Sequence, residues 1–178
     1  MFKIVRNVYA YFKGLVFRLI HPLSVKGIIR LFNGVSLRMY KGCSVSISKG
    51  VKVDQHAVIA VQKKGSLMIG KNVGIGPFNY IVCHKMISIG EGTILGPGVY
   101  IYDHDHIFDE KTGVDPHNYK CDNVIIGKNC WIGANTIILK GTIIGDNCLV
   151  AAGSVLKGNY PRGSKIIQKR NINIANER

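Results

Sequence analysis

Residues 124–161 read VIIGKNCWIGANTIILKGTIIGDNCLVAAGSVLKGNYP, and an aliphatic side chain stands at every sixth position: Ile126, Ile132, Ile138, Ile144, Val150 and Leu156. Glycine follows three of these, at Gly127, Gly133 and Gly145. A period of six matches neither a helix of 3.6 residues per turn nor an alternating strand. It matches a triangular solenoid whose flat sides each use six residues, with successive coils stacked as parallel strands about 4.8 Å apart. The aliphatic residue then points into the prism, and the adjacent glycine is expected to supply the backbone freedom of a corner. The fourth residue after each aliphatic is also inward and cramped. Those places hold Thr93, Cys130, Thr136, Thr142, Cys148 and Ser154. Two of the five cysteines are thereby explained as small core residues.

Outward from this stretch the same period runs through Ile89, Leu95 and Ile101, through Ile69, Ile75 and Ile81, and more weakly through Ile47, Val53 and Ile59. About five coils are expected over residues 45–160. Breaks in phase mark insertions. Ten residues separate Ile59 from Ile69, and eight separate Ile81 from Ile89, which puts a bulge near His84–Met86. The largest break lies between Ile101 and Ile126, so a polar, histidine-rich loop over 103–122 leaves the prism there. Long loops on rigid scaffolds carry function.

The 178 residues suffice for one domain, in three parts: a basic lead-in at 1–44, the solenoid at 45–160 and a basic tail at 161–178. A formal charge of +14 favours polyanionic partners, yet no nucleic-acid-binding module or basic patch interleaved with aromatics is present. Five cysteines without a CxxC pair argue against a disulfide framework or a zinc cluster, and fit reduced thiols in a cytosol. Residues 2–20, FKIVRNVYAYFKGLVFRLI, form an amphipathic basic helix. Its charges break any apolar run long enough to span a bilayer, and they leave no clean signal-peptide core. Two roles stay open. Its apolar face either covers the end or side of the main domain or rests on an anionic membrane surface, which would be the inner face of the cell membrane.

The hexads IGKNVG, IGEGTI, IGKNCW, IGANTI and IGDNCL, together with GVYIYDHDH, WIGAN and AAGSV, resemble the hexapeptide-repeat acyltransferases. The order of these motifs is similar to the sugar O-acetyltransferase branch, which includes maltose, nodulation-factor and polysaccharide-cluster enzymes. The resemblance covers about residues 45–161. It implies an all-β fold: a left-handed parallel β-helix assembled as a homotrimer, with an active site in each groove between neighbours. It implies acetyl-CoA as co-substrate, no metal, and a small-molecule or glycan acceptor in cell-surface polysaccharide synthesis.

The chemistry needs a base that takes the acceptor's proton as oxygen attacks the thioester, and imidazole suits this. By the resemblance the base lies eight residues after Gly98, at His106, with His104 as rival. Asp103 or Asp105 then orients a ring, as a backbone carbonyl would equally well. Acceptor contacts are expected from His104, Asp103, Asp105, Asn79, Trp131 and Tyr119. For Asn79 an inward ladder position is equally open. For the coenzyme, Gly133 and Ala134, then Ala151, Ala152 and Gly153, match the family's motifs. Lys157, Lys165 and Arg170 are placed for its phosphates, with Arg162 and Lys169 nearby. The tail SKIIQKRNINIANER departs from the family's usual ending, and Lys157 stands one residue early. His21, His56, His84 and His117 are read as surface or structural residues. Rival readings on this fold are an antibiotic or amino-sugar N-acetyltransferase, a γ-type carbonic anhydrase, and a non-enzymatic solenoid. No histidine pair here has the anhydrase's five-residue spacing.

Overall fold

Why the repeat closes into a prism is visible in the strand pairings. The computed structural model of the protein describes residues 2–169. All of its solenoid strands are parallel, and they form three sheets of seven, seven and six strands. We call these faces A, B and C in the order the chain visits them. The first coil uses Val25–Lys26, Arg30–Leu31 and Ser36–Met39, and the fourth uses Met86–Ile89, Ile94–Leu95 and Tyr100–Tyr102. A hairpin, His104–Asp109 with Gly113–Cys121, follows the fourth coil at the corner between faces C and A. The fifth coil then resumes at Val124–Ile126, and Lys165–Ile166 is the last strand among the described residues.

The described residues thus form six complete coils and two sides of a seventh, more than the five expected, and the first begins well before residue 45. The six-residue rhythm missed it because the early coils are longer. Val25 pairs with Ile47 and Ser44 with Ser66, a spacing of 22, whereas Ile125 pairs with Ile143, a spacing of 18. The surplus sits in the four-residue strands and turns around the corner from face C to face A, as at Val58–Val61.

The inward positions behave as their side chains require. Ile69, Ile75, Ile81, Ile101, Ile132 and Leu156 are all buried, and so are the small residues at the cramped slots. The small residues also satisfy corner carbonyls: Thr93 Oγ1 donates to Gly127 O at 2.7 Å, Cys130 Sγ to Gly145 O at 3.1 Å, and Ser154 Oγ to Ala151 O at 2.7 Å. All five cysteines are free thiols.

The glycines after the aliphatic residues have a different reason from the one expected. None of Gly70, Gly90, Gly127, Gly133 or Gly145 has positive φ; that conformation falls two residues later, at Asn72, Gly92, Asn129, Asn135 and Asn147. A Cβ on Gly127 would instead lie 2.6 Å from the amide nitrogen of Asp146 in the next coil. These glycines permit coil-to-coil contact at the corner, and the Asn or Gly that follows supplies the turn. Gly127→Ala is accordingly expected to cost about 1–3 kcal/mol through overpacking against backbone. A thermal midpoint equal to wild type would contradict this.

The helix α1 (Phe2–Ile20) departs from the first of the two roles left open for it. Its small and basic side, not its apolar side, packs on the first coil. Ala10 is buried, Phe17 packs against the core, and Gly14 lies so close to the Ile29 carbonyl that a Cβ would overlap it. Lys13 Nζ donates to Phe32 O at 3.3 Å, and the Arg6 guanidinium lies 5.4 Å from the Phe32 ring centre. At the other end Gln168 closes the edge of face C, its amide both accepting from Val155 N and donating to Val155 O.

Candidate active site

The loop read at 103–122 is an ordered antiparallel hairpin whose pattern aims its side chains. His104 and His106 are two apart and share a face, while Asp105 turns to the other and pairs with Lys140 at 3.2 Å. Cross-strand, His106 lies opposite Tyr119, with ring centres 4.7 Å apart. The register then slips, so that Ile107 faces Asp115 and residues 116–118 bulge from the second strand. Asp115 closes that bulge: its carboxylate accepts from His117 N, Asn118 N and Asn118 Nδ2. These bonds hold its carboxyl below the usual range, the Asn118 side chain contributing most. The bulge turns the Asp115 carbonyl toward His106 Nδ1, at 3.2 Å. A carbonyl can only accept, so Nδ1 is the donor, and in the neutral ring the lone pair then falls on Nε2 of this exposed residue.

His104 has a different setting. Its side chain is only 13% exposed, its Nδ1 stands 3.3 Å from the Asp103 carboxylate, and its ring lies on His84 with centres 3.8 Å apart. Tyr119 fills the remaining side, 5.4 Å from His104 and 4.4 Å from His84. The sequence reads His84 as a surface or structural residue. It joins the site because the third and fourth coils are displaced by 20 residues, which lays Val82 beside Tyr102 and so His84 beside His104. Burial lowers the His84 pKa, and the neighbouring His104 lowers it further.

Asp103 is completely buried and cannot touch an acceptor, which corrects that expectation. It organises the corner instead. Its oxygens accept from His84 N at 2.8 Å and Lys85 N at 2.7 Å. Burial pushes this carboxyl up, but the bonds from His104, His84 and Lys85 outweigh it, and the pKa lies below the ordinary value. Burial and the Asp103 charge together push the Cys83 thiol up to about 12, so it is not a nucleophile at neutral pH. Asn79 is likewise inside the core, its Oδ1 accepting from Val99 N at 2.6 Å, so the ladder reading describes it.

The residues expected to hold the coenzyme occupy a different corner. Gly133 and Ala134 in the fifth coil, and Ala151, Ala152 and Gly153 in the sixth, stack where face B turns into face C, and Gly153 N donates to Ala134 O. A Cβ on Gly133 would meet Ala152 N at 2.5 Å, so the surface there is bare backbone and methyl groups. Trp131 on face B is 59% exposed and paired between Ile94 and Leu149. Lys165 pairs with Leu149 on that face, whereas Lys157 follows the last face C strand at the far corner. Arg170 lies outside the described residues. Within one chain, then, the histidines and the small-residue corner stand at opposite edges of face C. Among the described residues no group of three or more His, Cys, Asp or Glu side chains is arranged to hold a metal ion.

Residues 123–157 match the family model described as the hexapeptide repeat of succinyl-transferase. Among curated proteins the chain is 26% identical over 123 residues to WbbJ of Escherichia coli, assigned to O-acetyl transfer in lipopolysaccharide biosynthesis; the match covers 61% of this chain and 63% of WbbJ. It is 41% identical over 107 residues to nodulation protein L of Rhizobium meliloti, covering 55% of this chain and 56% of that protein. The chain spans between 40% and 63% of the length of the curated relatives it matches. Among solved structures, AntD, an N-acyltransferase from Bacillus cereus crystallised with dTDP and coenzyme A, shares the fold. Its TM-score is 0.66 at 20% identity, over 87% of this chain and 88% of AntD.

Proposed function

We propose, from the premise that this chain is a hexapeptide-repeat protein, that it transfers an acetyl group from acetyl-CoA to a sugar hydroxyl in cell-surface polysaccharide synthesis. The observation that carries the reading is the His106 imidazole, held by the Asp115 carbonyl with its other nitrogen free. His106 Nε2 takes the hydroxyl proton as the oxygen attacks the thioester carbonyl. The tetrahedral intermediate collapses, the C–S bond breaks, and the leaving thiolate recovers the proton from the imidazolium. Tyr119 and His104 line the acceptor's approach on the face that His106 shares, and exposed Trp131 contributes from face B; Asp105, paired with Lys140 on the other face, does not take the acceptor role expected of it.

The bare corner at Gly133, Ala134, Ala151, Ala152 and Gly153 suits a thin pantetheine arm lying against backbone, and Lys165 beside it suits a phosphate. Because that corner and the hairpin are separated by face C, transfer requires the corner of a second copy, and a homotrimer supplies it by closed symmetry. The sugar O-acetyltransferase reading draws on the assignment of WbbJ. An amine acceptor is the second reading, favoured by the fold shared with AntD, and the same base would serve it.

The test is thiol release from acetyl-CoA across sugars, nucleotide sugars and amino sugars, with the mass in solution measured in parallel. A sugar hydroxyl product and about three times 19.6 kDa are expected. A turning-over monomer would sink the shared-groove arrangement, and a product acylated only at nitrogen would replace the first reading by the second.

A further inference from the structure

The folded chain leaves one large apolar surface uncovered, and it is half of a helix. At 100° per residue, Val5, Val8, Phe12, Leu15, Val16 and Leu19 fall within one continuous half of α1. Each is exposed, with Val8 at 63%, Phe12 at 60% and Leu19 at 72%. The opposite side, through Ala10, Gly14 and Phe17, is the one fixed to the first coil. A helix anchored by its small side presents its apolar half outward, and Phe12 and Val16 of that half also line an open apolar cleft of about 360 Å³ with Leu31, Val35 and Leu37.

We propose that this face docks the protein in the plane of an anionic lipid surface. Charge complementarity selects the occupant. Arg18 borders the apolar half on one side and Lys13 and Arg6 on the other, which is the arrangement of an interfacial helix. No acidic residue precedes Asp54, so the whole N-terminal end of the solenoid is cationic. Beside the helix, Arg18 and Lys49 line a cleft of about 440 Å³ together with Gly27 and Gly50, room for a phosphate. A second copy of the chain would bring the same basic end against this one and be repelled. Among the described residues no helix is long and apolar enough to cross a membrane, so the contact is lateral. The inference does not depend on the proposed reaction.

Co-sedimentation of the full chain with vesicles tests it. Phosphatidylcholine vesicles carrying about 30% phosphatidylglycerol should bind at least roughly tenfold more protein than phosphatidylcholine alone, and high salt should release it. Val8→Glu with Leu19→Glu should cut that binding at least roughly tenfold. Both side chains are solvent-facing, so the thermal midpoint should hold. Arg18→Glu should weaken binding about fivefold or more. Equal binding to neutral and anionic vesicles, or unchanged binding by the double variant, overturns the proposal. So does a wild type that ignores vesicles but is a larger oligomer than the double variant, which would make the face an interface between copies.

Discussion

Replacing His106 by alanine is expected to lower acetyl turnover by roughly 10²–10⁴-fold while leaving the affinity for acetyl-CoA nearly unchanged. The magnitude is that of a lost general base, and the selectivity follows from position. His106 stands on the hairpin, away from the small-residue corner proposed for the coenzyme. His104→Ala should be milder and act mainly on acceptor KM, because that ring is covered by His84 and Tyr119 and leans on Asp103. Measured kcat and KM of the two variants decide the assignment. Near-normal turnover in His106→Ala beside a dead His104→Ala would move the base to His104. Normal turnover in both would remove general-base catalysis from the hairpin.

Asp103→Ala is expected to be the most damaging substitution for stability, at about 3–5 kcal/mol. Two backbone N–H groups at the corner, His84 and Lys85, lose their acceptor, at about 1–3 kcal/mol each, and His104 loses its partner. For a chain of this size that is a fall in thermal midpoint of about 10 °C. Asp103→Asn keeps one acceptor oxygen and should fall between. The carboxyl's pKa is lowered in the folded state, so its contribution is fully present above the unfolded value, near 3.8, and is lost as pH falls through the folded one. Wild-type stability should therefore drop on acidification below about pH 4, and Asp103→Asn should lack that part of the acid slope. An Ala variant melting within a degree or two of wild type would show that the corner holds without the carboxylate.

Much of the site was legible because period and spacing carry it. Six-residue spacing placed Ile126 through Leu156 inside the prism and the cysteines at 130 and 148 in cramped slots. The break in phase located the hairpin, and the one-residue alternation in HDH separates Asp105 from the two histidines. What escaped depended on partners distant in sequence. His84 enters the site through a coil displacement of 20 residues, which differs from the 18 of the clearest repeats. Asp115 had a local signal, since DPHN reads as a turn closed by an aspartate side chain, but its carbonyl's aim at His106 depends on the bulge.

The sequence by itself determined the solenoid, its inward residues and the place where a polar segment leaves it, because those rest on periodicity and side-chain volume alone. Tertiary structure decided which side of α1 touches the protein. A helical wheel ranks faces by polarity, yet close docking against the Ile29 carbonyl admits only a small residue such as Gly14, so the helix turned its apolar half outward. It also decided the fate of the two aspartates of the DHDH run. Asp103 faces two free N–H groups at a corner and is drawn inside, while Asp105, one residue from His104 and His106, faces Lys140 and solvent.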